Sequence, residues 1–284
     1  MVSIIIPACN EEAVIGRTLS SLLKDADRSD MEIIVCCNGC HDRTAEIARE
    51  FGPTVRVIET SKGSKTWALN LGDAAATSFP RIYVDADISV TYSTIQKIVD
   101  ALSQSDTLAA APRMKVDLSN RSWAIRAFYE VWLKTPYHLR GMIGSGVYAL
   151  SQQGRSRFGT FPDVIADDGF VRAHFNPEER QILEDCAFTV LPPASISALL
   201  KVKTRATLGN RELSRKYPDL MQRLNSAEGQ EDKRSPYWKL AMQPRIWPKL
   251  GLYVLVKAVA EMRARTQLKK LSTYRWERDE TSRV

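Results

Sequence analysis

Two carboxylates set one residue apart, Asp85 and Asp87, follow the short apolar run Arg81-Ile-Tyr-Val84. If that run is a strand, positions i and i+2 share a face, and the two acids address one small volume. Anions that close repel unless a cation lies between them or one takes up a proton. A hard divalent cation, held by a few carboxylates together with substrate phosphates, suits such a pair. The competing reading is a strand end running into an acidic turn. The order of the segments around the pair favours chemistry.

Those segments alternate. Val2–Pro7 is a continuous β-rich apolar run, as expected of a parallel strand buried on both faces. Asn10 offers a helix cap, Glu11 and Glu12 suit the positive end of a helix, and Ile15, Leu19 and Leu22 recur at helical spacing. A second strand is predicted over Glu32–Cys37, followed by an Asn38-Gly39 turn and a helix over Asp42–Phe51. A third strand over Val55–Thr60 and a helix over Ser64–Thr77 lead to the acidic strand. Strands alternating with helices of this length predict an α/β fold built on a doubly wound, mostly parallel sheet. Ligands of such sheets sit beyond the carboxyl ends of the strands. Pro7–Glu11, Cys37–Asp42, Thr60–Lys65 and Asp85–Asp87 all fall there, so four loops are expected to line one crevice.

Downstream, the pattern predicts a helix over Thr91–Gln104, a strand over Leu108–Asp117 and an aromatic-rich helix over Asn120–Lys134. A glycine-rich turn, Gly141–Gly146, enters a short strand, Val147–Leu150, and Asp167-Asp168-Gly169 leads into a helix toward His174. Trp123, Phe128 and Trp132 read as packing residues, and residues 222–236 as a polar linker. A last helix, Trp247–Leu271, bears Leu252, Leu255, Val256, Val259 and Met262 on one side among many basic residues.

The order of motifs resembles the inverting, metal-dependent glycosyltransferases of family 2. The resemblance covers about residues 1–210. It rests on Ile5-Ile-Pro-Ala-Cys-Asn-Glu11, Asn38-Gly39 with Asp42-x-Thr44, Ala68-Leu-Asn-x-Gly72, Val84-Asp-Ala-Asp87 and Asp167-Asp168. It implies the GT-A fold over 1–215, with a nucleotide-sugar half (1–117) and an acceptor half (118–215). A linker and basic helical tail (216–284) would follow. It also implies that Pro7, Ala8, Glu11, Cys37, Asp85 and Ala86 bind the sugar nucleotide, a UDP-sugar on family frequency. Asp87, with Asp85, would ligate Mn²⁺ or Mg²⁺ across the diphosphate, where a metal offsets the charge of the leaving group. Lys65 and Arg205 are candidates to add positive charge there. Asp168 matches the family's general base, taking the proton of an acceptor hydroxyl, with Asp167 positioning it. The chain departs from the family at Cys9, where Tyr is frequent, and at Cys37, where Asp often meets uracil. The Gln-x-x-Arg-Trp motif of processive members is absent, with Lys201, Lys203 and Arg205 in its region, which implies transfer of a single sugar.

Charge adds a location. Residues 1–200 carry 20 basic and 24 acidic side chains, and residues 201–284 carry 20 and 9. No nucleic-acid motif accompanies this basic tail. The expectation is an anionic membrane surface, with the last helix lying on the inner leaflet and a saccharide or lipid-linked acceptor nearby. The competing expectation packs that helix on the domain or on a second subunit, as in a homodimer. Five cysteines and the absence of a signal-like N-terminus suggest the cytoplasm.

Other signals fail. Cys37-x-x-Cys40-His41 matches a haem-attachment pattern but coincides with the turn after the second strand. Ser61–Thr66 lacks the leading glycine of a phosphate loop. His41, His138 and His174 are scattered. Two further functions compete with glycosyl transfer: a sugar-phosphate nucleotidyltransferase, which wants a Gly-rich basic loop after the first strand, and a non-catalytic glycan or sugar-nucleotide binder, which has no use for a base.

Overall fold

The structure, a computed structural model, describes residues 1–103, 107–135, 138, 146–229, 242–270 and 281. By their contacts these form two units, one from the described residues within 1–115, 143–163 and 174–190, the other from those within 116–142, 164–173 and 191–284.

The first unit is built on a seven-stranded sheet. β1 (Val2–Ala8) is buried along its whole length and pairs in parallel with β2 (Met31–Asn38) on one side and β4 (Arg81–Val84) on the other. β3 (Val55–Thr60) adds in parallel outside β2. β6 (Val147–Leu150) runs antiparallel to both β4 and β5 (Ala109–Val116), and β7 (Arg180–Val190) completes the order β3-β2-β1-β4-β6-β5-β7. The expected doubly wound sheet is therefore present, with an antiparallel extension. Because β2 lies on one side of β1 and β4 on the other, the switch of direction falls between β1 and β4. That is where such sheets bind ligands.

Helices α1 (Ile15–Leu23), α2 (Thr44–Arg49), α3 (Lys65–Ala75) and α4 (Tyr92–Ser103) connect the strands. α3 begins at Ser64, whose hydroxyl caps the Trp67 amide. It rests directly on the sheet because Gly72 has no side chain: a Cβ there would stand 2.4 Å from Ile5 Cγ2 and 3.1 Å from Cys36 Sγ. One buried carboxylate ties the helix to the strands. Asp73 on α3 accepts from Arg81 Nη1 (2.7 Å) and the Tyr83 hydroxyl (2.8 Å) of β4, and from Arg155 of the short helix α6 (Gln152–Arg155).

The second unit is helical: α5 (Trp123–Trp132), α7 (Asp167–Arg172), α8 (Ile196–Lys216), α9 (Pro218–Gly229) and α10 (Trp247–Leu268). Its core joins Ile125, Phe128, Tyr129 and Val131 of α5 to Leu199 of α8 and to Tyr253 and Val256 of α10.

Several expectations are corrected. Residues 222–229 are helical rather than linker, and the rest of the expected linker lies outside the described residues. Trp123 is exposed, so it is not a packing residue, whereas Phe128 is fully buried. The inward face of α10 is Tyr253, Val256, Ala260 and Ala264. Of the residues expected on one apolar side, Val256 points inward, while Leu255 and Met262 are exposed. The glycine-rich turn lies outside the described residues up to Gly146.

Candidate active site

The loops after β1 and β2 are sewn together by side chains of the second. Asn38 donates its amide to Ala8 O (2.9 Å), and Thr44 Oγ1 accepts from the Glu11 amide (2.7 Å). Asp42 divides its two oxygens: one accepts from the Thr44 amide and hydroxyl (3.1 and 2.5 Å), the other from the Glu12 amide (3.1 Å). In return Asn10 Oδ1 accepts from the His41 amide (2.7 Å). The spacing Asp-x-Thr thus serves the end of β1 and the first loop, where Pro7, Ala8 and Glu11 are all buried. Gly39 has a positive φ of 64° and donates to Thr60 O (2.8 Å); a Cβ there would stand 3.0 Å from Gly63 Cα. Only glycine lets the second loop lie this close to the third.

Cys37, expected against the nucleotide, is 1% exposed. Its thiol is pushed well up by a hydrogen bond to Cys40 and by burial. Cys40 lies against the first loop, within 3.4 Å of Ala8 O and of the Asn10 amide nitrogen.

The acid pair differs in detail from its expectation. β4 ends at Val84, and Asp85-Ala86-Asp87 forms a turn closed by the Ile88 amide donating to Asp85 O (3.2 Å). The alternation of a strand is therefore not what orients the acids. Ala86 is instead pinned inward: Thr18 Oγ1 of α1 donates to its carbonyl at 2.7 Å, and the Asp85 amide donates to Gly146 O at 2.8 Å. Asp85 and Asp87 on either side of it are half-exposed. Lys65, at the first turn of α3, reaches across to Asp85 with Nζ 2.8 Å from Oδ1. The third and fourth loops thus meet through a charged pair.

Asp85 and Asp87 offer hard oxygen donors of the kind Mn²⁺ and Mg²⁺ take. Among the described residues no group of three or more His, Cys, Asp and Glu gathers as a metal cage.

In the second unit, Asp167 and Asp168 open α7. Asp167 is buried; Asp168 is half-exposed and accepts from the Gly169 amide at 2.7 Å. The segment ahead of them is held by α8, where buried Glu212 accepts from the Ile165 amide (2.7 Å) and from Lys216 Nζ (2.7 Å). Gly209 lets Ala166 approach, since a Cβ there would stand 2.9 Å from Ala166 Cβ. Arg205 lies on α8, half-buried. Lys203, two residues before it, lies over the rings of Trp132 (4.3 Å), Phe128 (5.3 Å) and Tyr129 (5.5 Å) of α5. It belongs to that helical core rather than to a solvated basic stretch. Asp73 and Glu212 escaped the sequence reading, because each looks like one more helical acid.

Comparison with known proteins decides the family. The family model described as Glycosyl transferase family 2 matches residues 3–155, more than half of the chain. The chain belongs to glycosyltransferase family 2. This family 2 member is 34% identical over 108 residues to the glycosyltransferase EpsJ of Bacillus subtilis, which covers 37% of this chain and 31% of that relative. It is 27% identical over 192 residues to 4,4'-diaponeurosporenoate glycosyltransferase of Staphylococcus aureus, covering 65% of this chain and 49% of the relative. The chain thus spans about a third to a half of these curated relatives' length. Among solved structures it is similar to the mannosyltransferase PcManGT of Pyrobaculum calidifontis in complex with GDP-Man and Mn²⁺. That match has a TM-score of 0.61 at 20% identity and covers 96% of this chain and 75% of the other. It is also similar to S. aureus TarS 1–349 in complex with UDP-GlcNAc, with a TM-score of 0.53 at 14% identity, covering 96% and 93%. This family 2 member has the GT-A fold.

Proposed function

We propose that this family 2 glycosyltransferase moves one sugar from a nucleoside-diphosphate donor, UDP-linked in the first instance, to a hydroxyl of a saccharide or lipid-linked acceptor, inverting the anomeric carbon. The observation that carries the reading is the Lys65–Asp85 pair at the carboxyl edge of β4, beside the switch point and the sewn first loop. Pro7, Ala8 and Glu11 would receive the nucleoside, and Cys37 would shape that loop from beneath. Lys65 is suited to the diphosphate and Asp85 to the ribose and sugar. Asp87, with Asp85, would hold Mn²⁺ or Mg²⁺. When bound, such an ion supplies positive charge to the departing diphosphate without proton transfer.

Asp168 is proposed as the base. It accepts the proton of the acceptor hydroxyl as that oxygen bonds to the anomeric carbon. The bond from the same carbon to the diphosphate oxygen breaks, and its electron pair leaves with the nucleoside diphosphate. Its half-exposure supports this role, since a base must reach substrate, while buried Asp167 fits a positioning part.

Calorimetry against UDP, GDP, CDP and TDP, with and without Mn²⁺, tests the donor site. Metal-dependent binding of one diphosphate is expected; binding of none would remove the proposal. For the base, Asp168→Asn should lower kcat by about 10²–10⁴-fold with donor affinity retained. Turnover left unchanged would take Asp168 out of the mechanism.

A further inference from the structure

α10 is apolar on two opposite sides. Tyr253, Val256, Ala260 and Ala264 face the helical core, and the Tyr253 ring packs 5.2 Å from that of Phe128. On the reverse side Trp247, Val254, Leu255 and Met262 are 60, 56, 60 and 61% exposed, with Gly251 and Ala258 exposed between them. At 3.6 residues per turn these positions form one stripe, about 22 Å long at 1.5 Å per residue. Met242, just ahead of the helix, is also exposed, so five of the eight large exposed apolar side chains among the described residues fall within 242–262. The stripe is continued by Arg265 and Lys269 and flanked by Arg263 and Lys270, all exposed. The one acid of the helix, Glu261, is engaged by Arg211 and Arg265. The helix does not qualify as a membrane span.

We infer that this outward stripe is a docking surface for an anionic lipid bilayer, with α10 lying in the plane of the interface. Apolar side chains with a tryptophan at one end and basic residues at the other match a helix that sinks its face to the depth of the headgroups. The sign of the charge selects this occupant. Over residues 201–284 basic side chains outnumber acidic by 20 to 9, so a second copy of the chain would meet like charge, whereas anionic headgroups meet opposite charge. The inference is separate from the chemistry of the donor site and uses none of its residues.

The test is flotation of the full chain with vesicles of phosphatidylcholine alone, or of phosphatidylcholine and phosphatidylglycerol in equal parts. Co-flotation with the anionic vesicles only, weakened by salt, is expected. Leu255→Glu with Met262→Glu should reduce it by about tenfold or more, and Arg265→Gln with Lys269→Gln should reduce it less. Both pairs are exposed, so far-UV circular dichroism should remain that of the parent. Failure of the parent to float with anionic vesicles, or undiminished flotation of the double glutamate variant, would overturn the inference. So would light scattering that shows a dimer dissolved by the glutamates. Nucleotide calorimetry on the same variants reads the donor site separately.

Discussion

Asp73 ties α3 to β4 and α6 through one buried carboxylate. Its side chain is 5% exposed and those of its two guanidinium partners, Arg81 and Arg155, are 15 and 14% exposed. Asp73→Asn keeps the volume and the oxygen that serves Arg81 and Tyr83. It turns the other oxygen into an N–H donor facing the donors of Arg155, and leaves two mostly buried cations without an anion. Breaking a buried pair by removing one partner costs about 3–5 kcal/mol. The lower end applies here, because each arginine keeps other support. Arg81 donates to Ala76 O and stacks on Phe79, and Arg155 donates to Phe158 O at 2.8 Å and stacks on Phe158. Urea unfolding of Asp73→Asn should therefore show a loss of about 3 kcal/mol at unchanged slope. Asp73→Asn with Arg155→Met should recover part of it, since one stranded cation is removed. A loss below about 1 kcal/mol for the single variant would refute the assignment of Asp73 as the hub.

Lys65→Met should weaken metal-supported nucleoside diphosphate binding about tenfold by calorimetry. It should change stability by less than about 1 kcal/mol, since Asp85 is over a third exposed. Gly72→Ala should lower Tm by about 2–6 °C in a thermal melt, as overpacking against Ile5 outweighs the gain in helix propensity. Lys203 is pushed down to about 7 by burial and by the charges of Lys257 and Arg205. Its folded value lies below its unfolded one, so the unfolded chain binds more protons between about pH 7 and 10 and stability rises with pH across that window. Lys203→Met should flatten that rise in denaturation measured at several pH values.

The strands that build the parallel half of the sheet were legible because each is a run of β-branched residues with no solvent face to encode. The carboxyl-end loops followed from them, since topology alone sends ligands there. β7 and α8 were not legible. In β7 buried and open positions do not alternate cleanly, and in α8 basic residues interrupt the apolar spacing. The second half of α9, residues 222–229, reads as linker because its composition is polar. On α10, periodicity found apolar residues but not which of two apolar sides faces the protein. Asp73 lay beyond reach for another reason: Arg155 stands 82 positions away, and no local pattern tells a surface acid from one that waits for a distant cation.

The stitching of the first loop to the second has a consequence for how this site can change. Asn38, Asp42 and Thr44 hold the backbone at Ala8, Glu12 and Glu11 from about thirty positions away. If the proposed donor binds here, it meets a loop already ordered by these bonds, and little binding free energy is lost to fixing it. The two loops also share one tolerance. On the proposed reading, a substitution that reshapes the first for another nucleobase would strain hydrogen bonds owned by the second, so a shift in donor preference would require paired changes in both.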